Sequence, residues 1–370
     1  MRILLTTGGT AGHVEPVLAV INEIKKKAKE KNIPLEFLWV GSTFGPEKEL
    51  VEKTGVRYKS VLTGKIRRYF SFENFIDPFK IFVGILQSLW IVITYRPDVT
   101  FGKGGFVSFP AVFASWLLYK PILIHESDSI PGLTNKILGK LATKIALSFK
   151  IAKNFFREDK CVITGNPISR EILFGDKNRG FERFNLDPEK PVLFITGGSQ
   201  GAEAVNRIID QCAPRLLKDC QILHQRGKGK LKPQDRKSPS YIAGYRQVEF
   251  LSREEMADSL TLATIIIARA GANSLFELAS IGKPAIIIPL PLAAQDHQRS
   301  NAFYFQKKKA VVVFTEANLT PEILTGIIKD LLENKEKRRS LSENIKKLAS
   351  ENAVGLIADH ILELGLKSRR

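Results

Sequence analysis

Cysteine is scarce: three residues in 370, Cys161, Cys212 and Cys220, none in C-x-x-C spacing. An odd number without paired spacing argues against a disulfide framework and against a zinc site, and it suits a reducing compartment. Histidine is nearly as rare, with five residues, and no cluster of His, Cys and carboxylate carries metal-ligand spacing. No D-x-D triplet occurs, which disfavours metal-dependent nucleotide-sugar chemistry. The G-K-[ST] of a P-loop is missing too, and the glycine runs do not spell a clean dinucleotide fingerprint. Neither a metal nor a cofactor is therefore expected. The chain opens on a short apolar strand instead of a basic segment with an apolar core, so export is not expected.

Acidic residues are outnumbered as well, 38 Asp and Glu against 56 Lys and Arg, for a formal net charge of +18. That sign favours anionic partners: nucleic acid, a phosphorylated ligand or an anionic membrane surface. With 370 residues, 44% of them hydrophobic, the chain is long for one core and sufficient for two.

The two halves open alike. RILLTTGGTAGH near the start and PVLFITGGSQGA from Pro191 each run from an apolar strand through paired glycines, Gly8-Gly9 and Gly197-Gly198, into a helix. Apolar runs ending in glycine or polar turns alternate with helical spacing along the rest of the chain. This predicts an α/β fold with parallel sheets covered on both faces and ligands outside the carboxyl ends of the strands. The boundary is placed at 165/166, so that 1–165 form the first domain and 166–344 the second. A helical run from Lys335 to Gly365 closes the chain, its part from about 345 to 370 returning to the first domain.

Chemistry is expected in the loops after the strands. Gly8 to His13 offers backbone N–H groups and a helix N-terminus to an anion; structural turn glycines with no ligand read the same way. His13, neutral near pH 7 at this helix entry, suits a general base, and a capping or packing role fits its position equally. Gly197 to Gly201 repeats the geometry. Arg269 to Ser274 repeats it again, ahead of a helix whose Glu277 suits the grip on a ribose diol, a solvated helix carboxylate being the commoner reading of such a residue. Gln295 to Asn301 supplies polar side chains for sugar hydroxyls.

Lys65 to Tyr95 breaks the pattern by mixing Lys65, Arg67, Arg68 and Lys80 with Tyr69, Phe70, Phe72, Phe75, Phe79, Phe82 and Trp90. Its longest uncharged run, Ile81 to Tyr95, reads as too short to span a bilayer. Aromatic rings flanked by cations suit a surface lying on anionic lipid; an amphipathic helix packed on the first core is the alternative.

In order along the chain, GGTAGH at 8–13, GKGGFVS at 102–108, HESD at 125–128, GNP at 165–167, GGSQGA at 197–202, RAGANSLFE at 269–277 and DHQRSNA at 296–302 resemble the MurG family. The resemblance covers nearly the whole chain. It implies a GT-B fold, two Rossmann-like domains with parallel sheets facing across a cleft. It also implies an inverting, metal-independent hexosyltransferase of peptidoglycan synthesis, peripheral on the cytoplasmic face of the cell membrane. Such an enzyme moves N-acetylglucosamine from UDP-GlcNAc to undecaprenyl-diphosphate-linked muramyl pentapeptide, lipid I to lipid II.

Residue by residue, the resemblance puts the lipid-linked diphosphate at Thr10, Gly12, His13, Gly104, Gly105, His125, Glu126 and Asn135, with His13 first and Glu126 second as general base. It puts the donor at Ser199, Gln200 and Asn206, with Phe250 and Leu251 by the uracil, Ser274 near the phosphates, Glu277 on the ribose, and Gln298 and Asn301 on the sugar. Thr10, Gly12, Ser127, Asp128 and Arg170 complete the donor set. HESD stands where familiar members have HEQN, and Ser169 sets Arg170 one place late after GNP. A non-hydrolysing UDP-sugar epimerase is a rival on the same fold, although the Lys65 to Trp90 surface has no use in a wholly soluble reaction. Nucleic-acid binding would explain the charge but leaves the repeated glycine loops without a purpose, so nucleic acid is not an expected partner.

Overall fold

The computed structural model describes residues 1–8, 11–43, 47–64, 73–198, 201–231, 244–291 and 293–368. Thr10, Ser199 and Gln200 lie outside the described residues, as do Lys65 to Phe72 of the basic aromatic stretch. Two compact units divide the chain, Met1–Ile168 with Asn352–Arg370, and Ser169–Glu351.

The first unit is built on seven parallel strands: β1 (Arg2–Thr6), β2 (Glu36–Ser42), β3 (Arg57–Val61), β4 (Val99–Gly102), β5 (Ile122–Glu126), β6 (Lys144–Leu147) and β7 (Cys161–Ile163). They lie in the order β3-β2-β1-β4-β5-β6-β7. Ile3, Leu4 and Leu5 in β1 and Leu123 and Ile124 in β5 have no exposed surface, as expected where helices cover both faces of a parallel sheet. The order reverses between β1 and β4, so the crevice for a ligand falls between the loops after Thr6 and Gly102. Strand β3 escapes the pattern reading because, at the edge, it exposes Arg57, Lys59 and Ser60.

The helix after β1 runs Ala11–Glu30 with Pro16 inside it. It packs against a C-terminal helix, Ala353–Lys367. Ile357, Ala358, Ile361 and Leu362 share one core with Val17, Val20, Ile21 and Ile24. Lys27 donates to the Gly355 carbonyl at 3.1 Å and pairs with Asp359 at 2.6 Å. The expected single run from Lys335 to Gly365 is in fact two helices. Lys335–Lys346 buries only Leu341 and Ile345 and belongs to the second unit, and the chain crosses to the first unit at Asn352.

Among its described residues the second unit has six parallel strands: β8 (Val192–Thr196), β9 (Gln221–Gln225), β10 (Tyr245–Val248), β11 (Ile265–Ala268), β12 (Ala285–Ile287) and β13 (Val312–Val313). Their order is β10-β9-β8-β11-β12-β13. Here the reversal lies between β8 and β11, flanked by the loops from Gly197 and from Arg269.

Candidate functional site

In the first unit the site is assembled from the ends of β1, β4 and β5. Gly104 and Gly105 take left-handed φ values of 80° and 77°. A Cβ on Gly105 would stand 2.7 Å from the Gly8 carbonyl, and one on Gly104 would stand 2.8 Å from Asn135 Nδ2. Only glycine lets these two loops close on each other and on Asn135. Gly12 is exposed and His13 half-buried in the first turn of Ala11–Glu30, next to this closure.

At the end of β5, Glu126 is 3% exposed. It accepts from the Asp128 N–H at 2.8 Å, the Gly132 N–H at 3.3 Å and Asn135 Nδ2 at 2.9 Å. Burial pushes its pKa up to about 7, the adjacent Asp128 adding to the rise and the three donors opposing it. His125 is fully buried. Its Nε2 faces the Gly165 carbonyl at 3.1 Å and Ser148 Oγ at 3.3 Å, and its Nδ1 faces Ser127 Oγ at 3.5 Å. Burial first and the Lys103 charge second hold it well below the ordinary histidine range. Asn135 is buried and donates to both the His125 carbonyl and Glu126. His125 and Asn135, expected at the diphosphate, are buried and hydrogen-bonded at the strand end.

Lys103, at the end of β4, escaped the sequence reading, although its place between two glycines after an apolar run is the signal that marks it. It is 2% exposed and donates to Ser127 Oγ at 2.6 Å. Burial pulls its pKa down to about 8, while Asp128 and Glu126 pull it back up.

In the second unit the loop after β8 is bound tightly to the end of β9. Gly201 has φ 67°, and a Cβ there would lie 2.0 Å from the Arg226 carbonyl. Asn206 is buried, donating to that same carbonyl at 3.0 Å and facing His224 Nε2 at 3.0 Å. Arg226 is buried and paired with Asp210 at 2.6 Å. Asn301 is fully buried and donates to the Ala270 carbonyl at 3.3 Å, while Gln298 Oε1 accepts the Leu290 N–H at 3.0 Å. These three amides, expected on the donor, are engaged by the fold, which uses them to set the loops. Leu251 is likewise core, while Phe250 beside it is exposed.

Ser274 lies in the first turn of the helix Ala272–Ile281, whose N-cap is Gly271. One turn on, Glu277 is paired with Arg253 Nη1 at 3.2 Å; burial raises its pKa and Arg253 lowers it. Sequence reading missed Arg253, which comes from a separate helix capped by Ser252 and Glu255. Arg170 is exposed at the start of the second unit. Gln295 and Asp296 sit at φ 58° and 55°, a left-handed pair that re-aims the chain into His297–Lys307 and marks stored strain at a loop of this kind.

Residues 3–147 match the glycosyltransferase family 28 N-terminal domain, and 192–359 match the glycosyltransferase family 28 C-terminal domain. A protein of Legionella pneumophila (strain Paris) is 39% identical over 363 residues, 98% of this chain and 96% of its own. Its name is UDP-N-acetylglucosamine–N-acetylmuramyl-(pentapeptide) pyrophosphoryl-undecaprenol N-acetylglucosamine transferase. The chain belongs to the MurG family. The crystal structure of MurG from Acinetobacter baumannii superposes with a TM-score of 0.75 at 26% identity, covering 98% of this chain and 99% of that one. As in the MurG family at large, the two Rossmann-like units are those of a GT-B glycosyltransferase. A UDP-GlcNAc 2-epimerase from Neisseria meningitidis bound to UDP-GlcNAc has a TM-score of 0.69, covering 98% of this chain and 100% of that one, at 13% identity. It shares the fold alone, whereas the MurG likeness extends to sequence over the full length.

Proposed function

We propose that this chain transfers N-acetylglucosamine from UDP-GlcNAc to the muramyl 4-hydroxyl of undecaprenyl-diphosphate-linked muramyl pentapeptide, at the cytoplasmic face of the membrane. The observation that carries it is 39% identity over 98% of the chain to a protein named for that transfer. The reaction is a single displacement. The 4-hydroxyl loses its proton as it attacks the anomeric carbon, uridine diphosphate leaves from the opposite face, and configuration inverts. The sequence has no D-x-D to carry a metal, so charge growing on the leaving diphosphate is met by backbone N–H groups at the entries to Glu203–Leu216 and Ala272–Ile281. Such preorganised donors are worth about 3 kcal/mol each in the barrier.

His13 takes the proton in this reading. It is half-buried in a first helical turn, whereas Glu126 already accepts three hydrogen bonds, which leaves about one of its lone-pair sites for a further donor. Glu126, with a pKa near 7, remains the second choice.

Membrane attachment is supported by the helix Glu73–Tyr95. Phe75, Phe79, Phe82, Leu86, Trp90 and Ile93 recur at three and four residues and are all exposed, Phe75 at 73% and Trp90 at 69%. By length and composition Phe75–Tyr95 is apolar enough to cross a membrane, with Asp77 and Lys80 interrupting it ahead of the uncharged run Ile81 to Tyr95. The opposite face buries Asp77, Ser88, Val92 and Tyr95 in the first unit. A helix packed on one side and apolar on the other suits lying in the interface.

The deciding experiment is transfer of radiolabelled sugar from UDP-GlcNAc to a short-chain lipid I analogue, with and without chelator. Chelator-insensitive formation of the disaccharide lipid is expected. Failure to form it, with epimerised UDP-sugar as product instead, would overturn the proposal in favour of the soluble rival.

A further inference from the structure

Lys103 is buried too deeply to touch a substrate, yet its ammonium has a defined setting. It donates to Ser127 Oγ at 2.6 Å, and the charges of Asp128 and Glu126 act on it. A buried ammonium persists only where opposite charge and hydrogen bonds offset its lost hydration. The converse holds for its neighbours. Glu126 and Asp128 place two carboxyl groups at the end of β5, where the transferase reading brings an anionic diphosphate, and like charges gathered at one site oppose each other.

We propose that Lys103, buried and bonded to Ser127, is a positioning residue that offsets the Glu126 and Asp128 charges and holds Ser127, so that an acidic strand end accepts an anionic substrate. The kinetic part of this inference rests on the transferase reading; the electrostatic part does not.

Two substitutions separate charge from hydrogen bonding. Lys103→Gln keeps a donor for Ser127 without the charge, and Lys103→Met removes both. Each is compared with and without Asp128→Asn, by thermal unfolding of the first unit and by transfer to the acceptor analogue. Either single change is expected to raise the acceptor KM roughly thirtyfold, the lower end for unpairing a buried charge, with kcat moved less and the unfolding temperature lowered. Asp128→Asn is expected to restore most of both quantities in either background. Parent-like behaviour of Lys103→Gln would overturn the proposal by making the hydrogen bond sufficient. Purely additive unfolding shifts for Lys103→Met and Asp128→Asn would overturn it too. A parent with no transfer activity would count against the transferase reading alone, since the unfolding cycle still decides the charge relation.

Discussion

Replacing Glu126 by Gln isolates a titration that the fold itself creates. The carboxyl is moved from its ordinary 4.5 to about 7, chiefly by burial. Below pH 4.5 it is protonated in both folded and unfolded chains and the shift costs nothing. Between 4.5 and 7 the unfolded chain releases the proton that the folded chain retains, so stability falls as pH rises, and above 7 the loss is complete. At 1.36 kcal/mol per unit, a shift of this size is worth about 3 kcal/mol. Glu126→Gln abolishes that slope and adds a constant cost of about 1–3 kcal/mol. The cost arises because the groups facing the side chain are donors, the Asp128 and Gly132 N–H groups and Asn135 Nδ2, and an amide NH2 offers them nothing to bind. Trp39, Trp90 and Trp116 all lie in the first unit, so tryptophan fluorescence in a denaturant titration follows that unit alone. The stability of the parent minus that of Glu126→Gln should fall by about 3 kcal/mol from pH 4.5 to 7.5. In an Asp128→Asn background the fall should still begin near the unfolded value of 4.5 but end at lower pH and be smaller, since Asp128 adds to the rise. A flat difference, or one growing with pH, would refute the account of Glu126 as a carboxyl held proton-rich by burial.

His13→Ala should lower kcat at saturating acceptor by about a hundredfold or more, the usual worth of a general base, and unchanged turnover in the lipid I analogue assay would remove His13 from that role. Glu277→Ala should raise the donor KM by roughly tenfold or more, the worth of a hydrogen bond to a charged group, with the acceptor KM little changed; equal UDP-GlcNAc affinity of mutant and parent by calorimetry would sink the ribose assignment. Combined Phe75, Phe79 and Phe82→Ser should weaken flotation with anionic liposomes, and the parent's binding should fall with added salt. Extending the change to Trp90 and Ile93 should weaken it further if the whole helix lies flat, and unaltered flotation in either variant would refute the membrane face.

The sheets were legible because burial on both faces makes their strands continuous apolar runs, and β1 and β8 could be matched by eye. What stayed hidden follows from chemistry that periodicity does not carry. Edge strand β3 alternates cations and polar residues at the surface. The change of unit near Asn352 falls inside what reads as one helical stretch, because burial, not helix propensity, distinguishes Lys335–Lys346 from Ala353–Lys367. The site was legible as a set of loops and less so as a set of contacts. HESD and the Gly104-Gly105 pair do meet at one place, but an Asn or His in a motif looks the same whether it faces a ligand or a neighbouring carbonyl. Lys103 was hidden for the opposite reason, since lysine in a loop ordinarily means a solvated charge.

That distinction bears on how the second unit would hold a diphosphate. Asn206 spends its amide on the Arg226 carbonyl and its oxygen on His224; Asn301 reaches Ala270 and Gln298 reaches Leu290. Asn206, engaged at both amide atoms, cannot follow charge as it moves onto a leaving group without undoing the loop it sets. Among the described residues, the entries to Glu203–Leu216 and Ala272–Ile281 follow β8 and β11, and backbone N–H groups at a helix entry are already oriented and require no reorganisation as charge develops. The two glycine loops, alike in sequence, are therefore unequal in chemistry. The helix entry that follows β8, at Glu203–Leu216, offers backbone dipoles. The loop after β1 closes on Gly105 beside a strand end where Lys103 feels the charges of Asp128 and Glu126, His125 that of Lys103, and Glu126 that of Asp128. On the proposed reading, proton transfer belongs on the first side because titrating groups gather there, and departure of uridine diphosphate belongs on the second because nothing there has to titrate.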